Sequence, residues 1–217
     1  MQKNNVKIIY EDNDFIVANK PSGLLVIPTP KNEKNTLTNI LNNYLRLKAE
    51  EANVHPCHRI DRETSGLVIY AKGKKNQQLM MDEFKERKVK KAYIAFAHGR
   101  IKPDSGAISE YIYNKNKKRN EPAVTKYKVT QQCRDFTVLT VEPVTGRTNQ
   151  IRIHFKSIGH PLVGESVYAF RKDFALRFKR VALHAESLSF FHPVTGKMLK
   201  FSAPLPQDMS DFLNKNY

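Results

Sequence analysis

The feature that most constrains the fold of this chain is its punctuation. Apolar runs of about five to nine residues recur from end to end, most closed by a turn-prone cluster, and few segments hold a helical period. Residues 6–10 and 15–19 read as strands divided by Glu11-Asp12-Asn13-Asp14, and Lys20-Pro21-Ser22-Gly23 ends the second and begins a loop. Residues 67–71, Leu-Val-Ile-Tyr-Ala, read as a central strand. Residues 92–97 form another, closed by His98-Gly99, and residues 114–122 read as a basic loop. Two longer strands follow at 123–130 and 136–142. Residues 183–191 and 197–202 read as a hairpin around Pro193-Val194-Thr195-Gly196.

Helical periodicity is confined to a few places. Thr36 is a plausible N-cap, after which Leu37, Ile40, Leu41, Tyr44 and Leu45 fall on one face. Residues 74–88 predict a lysine-rich helix with Leu79, Met80 and Phe84 inward. Ile151, Phe155 and Ile158 mark a third helix, stopped by Gly159; Thr148 would cap it, leaving Gln150, Arg152 and His154 off its apolar face. A short amphipathic helix over 208–213 ends the chain. Strands outnumber helices and short turns join neighbours, so the predicted class is α+β on a mixed, mainly antiparallel sheet. With 217 residues, no repeat and no Gly/Ser linker, residues 1–217 read as a single domain.

Charge narrows the function. Thirty-seven Lys and Arg against 21 Asp and Glu leave +16, which makes a polyanion the expected partner through counterion release. Cys57 and Cys133 lie far apart without metal or redox spacing, which suits reduced thiols in the cytosol. No apolar run reaches the length of a membrane span, and the first residues lack a signal-peptide core, so a cytoplasmic, membrane-free protein is expected.

Three segments carry candidate chemistry. In His58-Arg59-Ile60-Asp61-Arg62-Glu63-Thr64-Ser65-Gly66 the Asp61 carboxylate sits between Arg59 and Arg62, and cations beside it favour the ionised form that a nucleophile or base requires. A surface salt bridge would look the same locally. In Gly146-Arg147-Thr148-Asn149-Gln150-Ile151-Arg152-Ile153-His154 the arginines suit phosphate binding or a fixed carboxylate pair, and a solvated basic face is the alternative. Lys90-Lys91-Ala92-Tyr93 sets a tyrosine beside two lysines. A ring there can stack on an unpaired base while the lysines hold phosphates, or simply fill a core. His55-Pro56-Cys57-His58 is too cramped to chelate a metal, and no second cluster completes a set. Lys115, Lys117, Lys118 and Arg119 make the densest basic stretch.

Read in order, Asn19-Lys20-Pro21-Ser22-Gly23-Leu24, HRIDRETSGLVIYAK, KKAYIAFAHG, GRTNQIRIH and LHAESLSFFHP resemble the RluA family of RNA pseudouridine synthases, from about Asn13 to Pro206. The resemblance implies a mainly antiparallel sheet with flanking helices and an RNA-binding cleft, acting on ribosomal or transfer RNA without metal or organic cofactor. It makes Asp61 the catalytic aspartate, Tyr93 the ring packed on the target uracil, Arg152 the partner of the aspartate, and Arg59 the residue that fills the stack the uracil leaves. Arg62, Arg147, Lys90 and Lys91 are expected at phosphates. Many relatives have His where Asn149 stands, and the chain begins close to the catalytic motifs, leaving no room for a separate N-terminal RNA-binding module. A monomer without an obligate protein partner is expected. Two rival classes are a non-catalytic RNA-binding module and a metal-dependent nuclease. The intact Asp61, Tyr93 and Arg152 set argues against the first. The scarcity of carboxylates near Asp61, which offers only Glu63, argues against the second.

Overall fold

The computed structural model describes residues 6–169 and 176–216, an α+β arrangement of strands and four helices. In chain order the elements are β1 (Lys7–Glu11), β2 (Phe15–Lys20), α1 (Leu37–Leu47), β3 (Val54–Pro56), β4 (Ser65–Lys72), α2 (Lys74–Lys85), β5 (Lys90–His98), β6 (Ser105–Asn114), β7 (Arg119–Gln132), β8 (Phe136–Pro143), α3 (Gln150–Ser157), β9 (Leu183–Phe191), β10 (Met198–Ser202) and α4 (Gln207–Lys215). The chain divides into two compact units, Met1–Lys90 with Ala185–Ala203, and Lys91–His184 with Pro204–Tyr217. Among the described residues no helix is long and apolar enough to cross a membrane.

In the first unit the strand order is β1-β2-β4-β9, with β3 also on β4 and β10 on β9. β4 is buried on both faces, as its unbroken apolar run requires, and pairs antiparallel with β2 from Phe15↔Ala71 to Lys20↔Gly66. Phe15, Val17, Leu67, Ile69, Met80, Leu188 and Phe190 form the core beside it. Thr36 caps α1 as predicted, accepting the Asn39 N–H at 3.3 Å, and the helix buries Leu37, Leu41 and Leu45. Each such leucine contributes about 1.5–3 kcal/mol. Gly66 takes φ +115°, and a Cβ there would meet the Ala185 carbonyl oxygen at 2.2 Å, so β4 and β9 approach as they do only because residue 66 lacks a side chain.

In the second unit the order is β5-β8-β7-β6, all antiparallel. Phe96, Phe136, Val138, Val163, Ala182 and Met209 form its core, with Phe212 of α4 against both phenylalanines.

Several predicted boundaries move. The basic loop expected over 114–122 is mostly strand, since β6 ends at Asn114 and β7 begins at Arg119. Pro122 masked this, because proline argues against a central strand. It is tolerated because β8 pairs with β7 only from Thr125, leaving that edge of Pro122 open. β3 is only three residues long and ends on a proline, and β6 turns Tyr111 and Tyr113 outward, so neither shows the alternation that marks a strand. α2 stops at Lys85 because Arg87 adopts φ +60°. The cap of α3 is Asn149, not Thr148.

Candidate active site

The loop bearing Asp61 is fixed through its own backbone. Lys20 is fully buried at the end of β2, and its ammonium donates to the carbonyls of Pro21 (3.0 Å), Leu24 (2.8 Å) and Arg62 (3.0 Å). Gly23 N–H reaches the same Arg62 carbonyl at 2.8 Å, and Ser22 Oγ donates to the Glu63 carbonyl at 2.7 Å. At the other end the His58 Nε2 accepts the Ile69 N–H at 3.1 Å, and the Thr64 N–H closes back on the Asp61 carbonyl at 3.2 Å. The Lys-Pro-Ser-Gly segment, read from sequence as a strand stop, is therefore the clamp on residues 62 and 63. Asp61 is partly buried, Ile60 anchors the loop in the interior, and Arg59 and Arg62 are exposed. Arg62 Nη2 lies 3.2 Å from Glu33.

In the second unit Tyr93, on β5 and 8% exposed, stands opposite Val141 of β8. Lys90 is exposed. Lys91 is partly buried, and burial pushes its ammonium below the usual range. Its Nζ lies 3.9 Å from where a Cβ on Gly146 would be, so Lys91 borders the turn before α3.

The α3 segment differs most from expectation. Gln150, Arg152 and His154 are buried, not set on an open face. Gln150 organises the turn: its Oε1 accepts from Thr145 Oγ1 (2.6 Å) and the Arg147 N–H (3.0 Å), while its amide donates to the Val124 carbonyl and Thr125 Oγ1, both at 2.9 Å. Burial pushes the His154 imidazole down, which keeps it neutral at neutral pH. Arg147 points back to the β6–β7 hairpin, with Nη1 3.0 Å from Glu121 and Nε donating to the Pro122 carbonyl.

Arg152 makes a forked pair with Glu165. Nε donates to Oε2 at 2.7 Å and Nη2 to Oε1 at 2.8 Å. Glu165 also accepts the N–H groups of Val167 and Tyr168. Burial opposes its charge, and Arg152 with those N–H groups outweighs burial, holding the carboxyl below the ordinary range. Nη1 donates to Asn149 Oδ1 at 3.1 Å, and the Asn149 amide donates to the Tyr168 hydroxyl at 2.9 Å, with that ring 5.2 Å from the guanidinium. Asn149 sits at φ 55°, ψ 20°, a left-handed conformation that asparagine tolerates. Glu165 and Tyr168 are the residues that sequence reasoning missed, since a glutamate in an irregular stretch gives no periodic signal; Lys20 reads only as part of a motif, without its role in the clamp.

One further cluster brings possible metal ligands together. Asp12, Asp14 and His192 place ligand atoms within 4.8 Å of one another. The His192 Nδ1 accepts the N–H groups of Val194 and Thr195, so Nε2 carries the proton and donates it to Asp12 at 3.0 Å. That tautomer makes a hydrogen-bonded clamp between two turns and leaves Nε2 a donor, not a ligand.

A family model described as RNA pseudouridylate synthase matches residues 14–157. The uncharacterized RNA pseudouridine synthase YlyB of Bacillus subtilis is 37% identical over 96% of this chain and 72% of its own length. Ribosomal large subunit pseudouridine synthase D of Haemophilus influenzae is 37% identical over 96% of this chain and 70% of its own. Among solved structures, human RNA pseudouridylate synthase domain containing 4 shares the fold with a TM-score of 0.79 at 23% identity, covering 96% of this chain and 92% of that one.

Proposed function

The chain belongs to the RNA pseudouridylate synthase family, and from that membership we propose that it isomerises uridines of ribosomal RNA, with Asp61 as the catalytic carboxylate. The ribosomal assignment follows the names of its relatives, several of which are ribosomal large subunit pseudouridine synthases. The observation that carries the assignment of Asp61 is the clamp on its loop: Lys20, Gly23 and Ser22 hold residues 62 and 63 by their carbonyls, so the carboxylate beside them is presented without further ordering.

The chemistry breaks the N-glycosidic bond, turns the uracil, joins its C5 to C1′ of the ribose and releases the C5 proton while N1 gains one. Substrate and product are isomers, so the balance requires no oxidant, phosphate or organic cofactor, and we assign none and no metal. The uridine leaves its stack to reach the enzyme. Tyr93 offers the ring face for the extruded uracil, and Arg59 takes its place in the RNA. Asp61 adds to the ribose carbon or to the base, or removes the 2′ proton. Arg152, braced by Glu165, orients the reacting carboxylate. Arg62, Arg147, Lys90 and Lys91 meet phosphates. We assign the reaction to a cytoplasmic monomer in which residues 1–217 act as one catalytic domain.

The test is pseudouridine mapping across ribosomal and transfer RNA in cells lacking the gene, complemented with wild type or Asp61→Asn. Sites in large-subunit RNA should vanish on deletion, return with wild type and stay absent with Asp61→Asn. Sites lost only from transfer RNA would overturn the ribosomal assignment, and restoration by Asp61→Asn would remove Asp61 from the chemistry.

A further inference from the structure

The β6–β7 hairpin exposes two aromatic rings that the proposed chemistry does not use. Tyr111 and Tyr113 are 74% and 58% exposed, while Ile112 between them is buried. Residues two apart on a strand share a face, and so do directly opposed residues on paired strands. Tyr111 stands opposite Pro122 and Tyr113 opposite Asn120, so these four make one outward surface. Ile112 and Glu121 are paired on the other, inward face. Successive same-face positions lie about 6.8 Å apart, close to twice the ~3.4 Å spacing of stacked bases.

Charge at the hairpin's end is one-sided. Between Tyr111 and Pro122 the chain carries Lys115, Lys117, Lys118 and Arg119 against the single carboxylate of Glu121. That carboxylate is buried and receives Lys117 at 2.8 Å, Arg147 at 3.0 Å and Arg119 at 3.6 Å. One negative charge thus gathers three cations into fixed positions and neutralises one. Among the described residues, Lys115 and Lys118 make no ion pair.

We propose that the outward face of this hairpin, Tyr111 and Tyr113 with the basic end around Lys115 and Lys118, binds unpaired RNA by stacking bases on the tyrosines and neutralising the adjoining phosphates. This rests on the RNA-modifying reading above and adds a contact that selects single-stranded over duplex segments. Aromatic rings accept any base, but only where it is unstacked from its neighbours.

The experiment measures anisotropy of a fluorescein-labelled oligouridine of about 12 nucleotides, and of an RNA duplex of similar length, with the full chain. The Tyr111→Ala/Tyr113→Ala variant should bind the single strand about tenfold or more weakly and the duplex as wild type does. The Tyr111→Phe/Tyr113→Phe variant should keep single-strand binding, because it keeps both ring faces. Lys115→Ala/Lys118→Ala should weaken both probes and flatten the salt dependence. Unchanged melting temperatures establish that each variant is folded. An equal loss on both probes, or none on the single strand, overturns the proposal. So does a wild-type dimer in sedimentation that the alanine pair converts to monomer, since the face would then belong to a second copy. Absence of pseudouridine sites in cells would sink the catalytic reading alone, because this binding measurement requires no turnover.

Discussion

Arg152 and Glu165 meet edge to edge, two donors of the guanidinium on the two carboxylate oxygens at 2.7 and 2.8 Å, with the Glu165 side chain fully buried. Such a pair fixes the plane of the guanidinium, because rotation breaks both bonds together. Lysine cannot reproduce it. Arg152→Ala or Glu165→Ala should each cost about 3–5 kcal/mol, since each leaves a buried charge without its partner. Arg152→Lys and Glu165→Gln should fold and lose turnover with little change in RNA affinity. Thermal melts beside single-turnover rates separate the two effects, and a double-mutant cycle should show strong coupling. A fully active Arg152→Lys enzyme would make the arginine merely one more cation.

Lys20 should matter for the shape of the Asp61 loop. Lys20→Met keeps the length of the stem and removes the donor shared by the carbonyls of Pro21, Leu24 and Arg62. A loss of about 2–4 kcal/mol is expected from buried acceptors left unmet, with turnover falling further than stability explains. Denaturant melts and single-turnover assays read both, and wild-type behaviour would show the clamp to be dispensable.

Tyr93 should divide ring from hydroxyl. Tyr93→Phe keeps the face for the uracil and should retain most of the turnover, whereas Tyr93→Ala loses the ring. A stacked base is worth about 1–3 kcal/mol, and the alanine loss should fall on the rate more than on affinity. Equal behaviour of the two variants would contradict a stacking role.

Acid should destabilise the fold partly through His98. Burial lowers its imidazole from 6.5 to about 4, so the folded protein prefers the neutral ring. Its contribution is fully present above pH 6.5 and is lost as pH falls through about 4, because the unfolded chain binds the proton first. Up to about 3 kcal/mol is at stake. Denaturation midpoints between pH 7 and 4 should fall in wild type and fall less in His98→Gln.

Most of the strand pattern was legible because burial writes itself into sequence. The run over residues 67–71 is continuous since β4 is covered on both faces, and the leucines of α1 repeat at helical spacing since one face is covered. β6 was not legible for the converse reason: it turns Tyr111 and Tyr113 outward and only Ile108 and Ile112 inward, so its alternation carries no polar-out signal. The Asp61 motif was likewise plain, through its resemblance to a family and not through its local chemistry.

The sequence by itself determined the α+β class, the basic character, the position of Asp61 and the family. These depend on periodicity, local motifs and a count of charges, none of which requires knowing which distant residues meet. Only the tertiary structure decided which groups hold the site. Lys20 reaches Arg62 across 42 positions, and Arg152 reaches Glu165 across 13. A buried lysine and an exposed one are the same letter, and so are a paired glutamate and a solvated one. Their roles arise when folding removes water and supplies partners, because only then does an unpaired charge become costly enough to fix its neighbours in place.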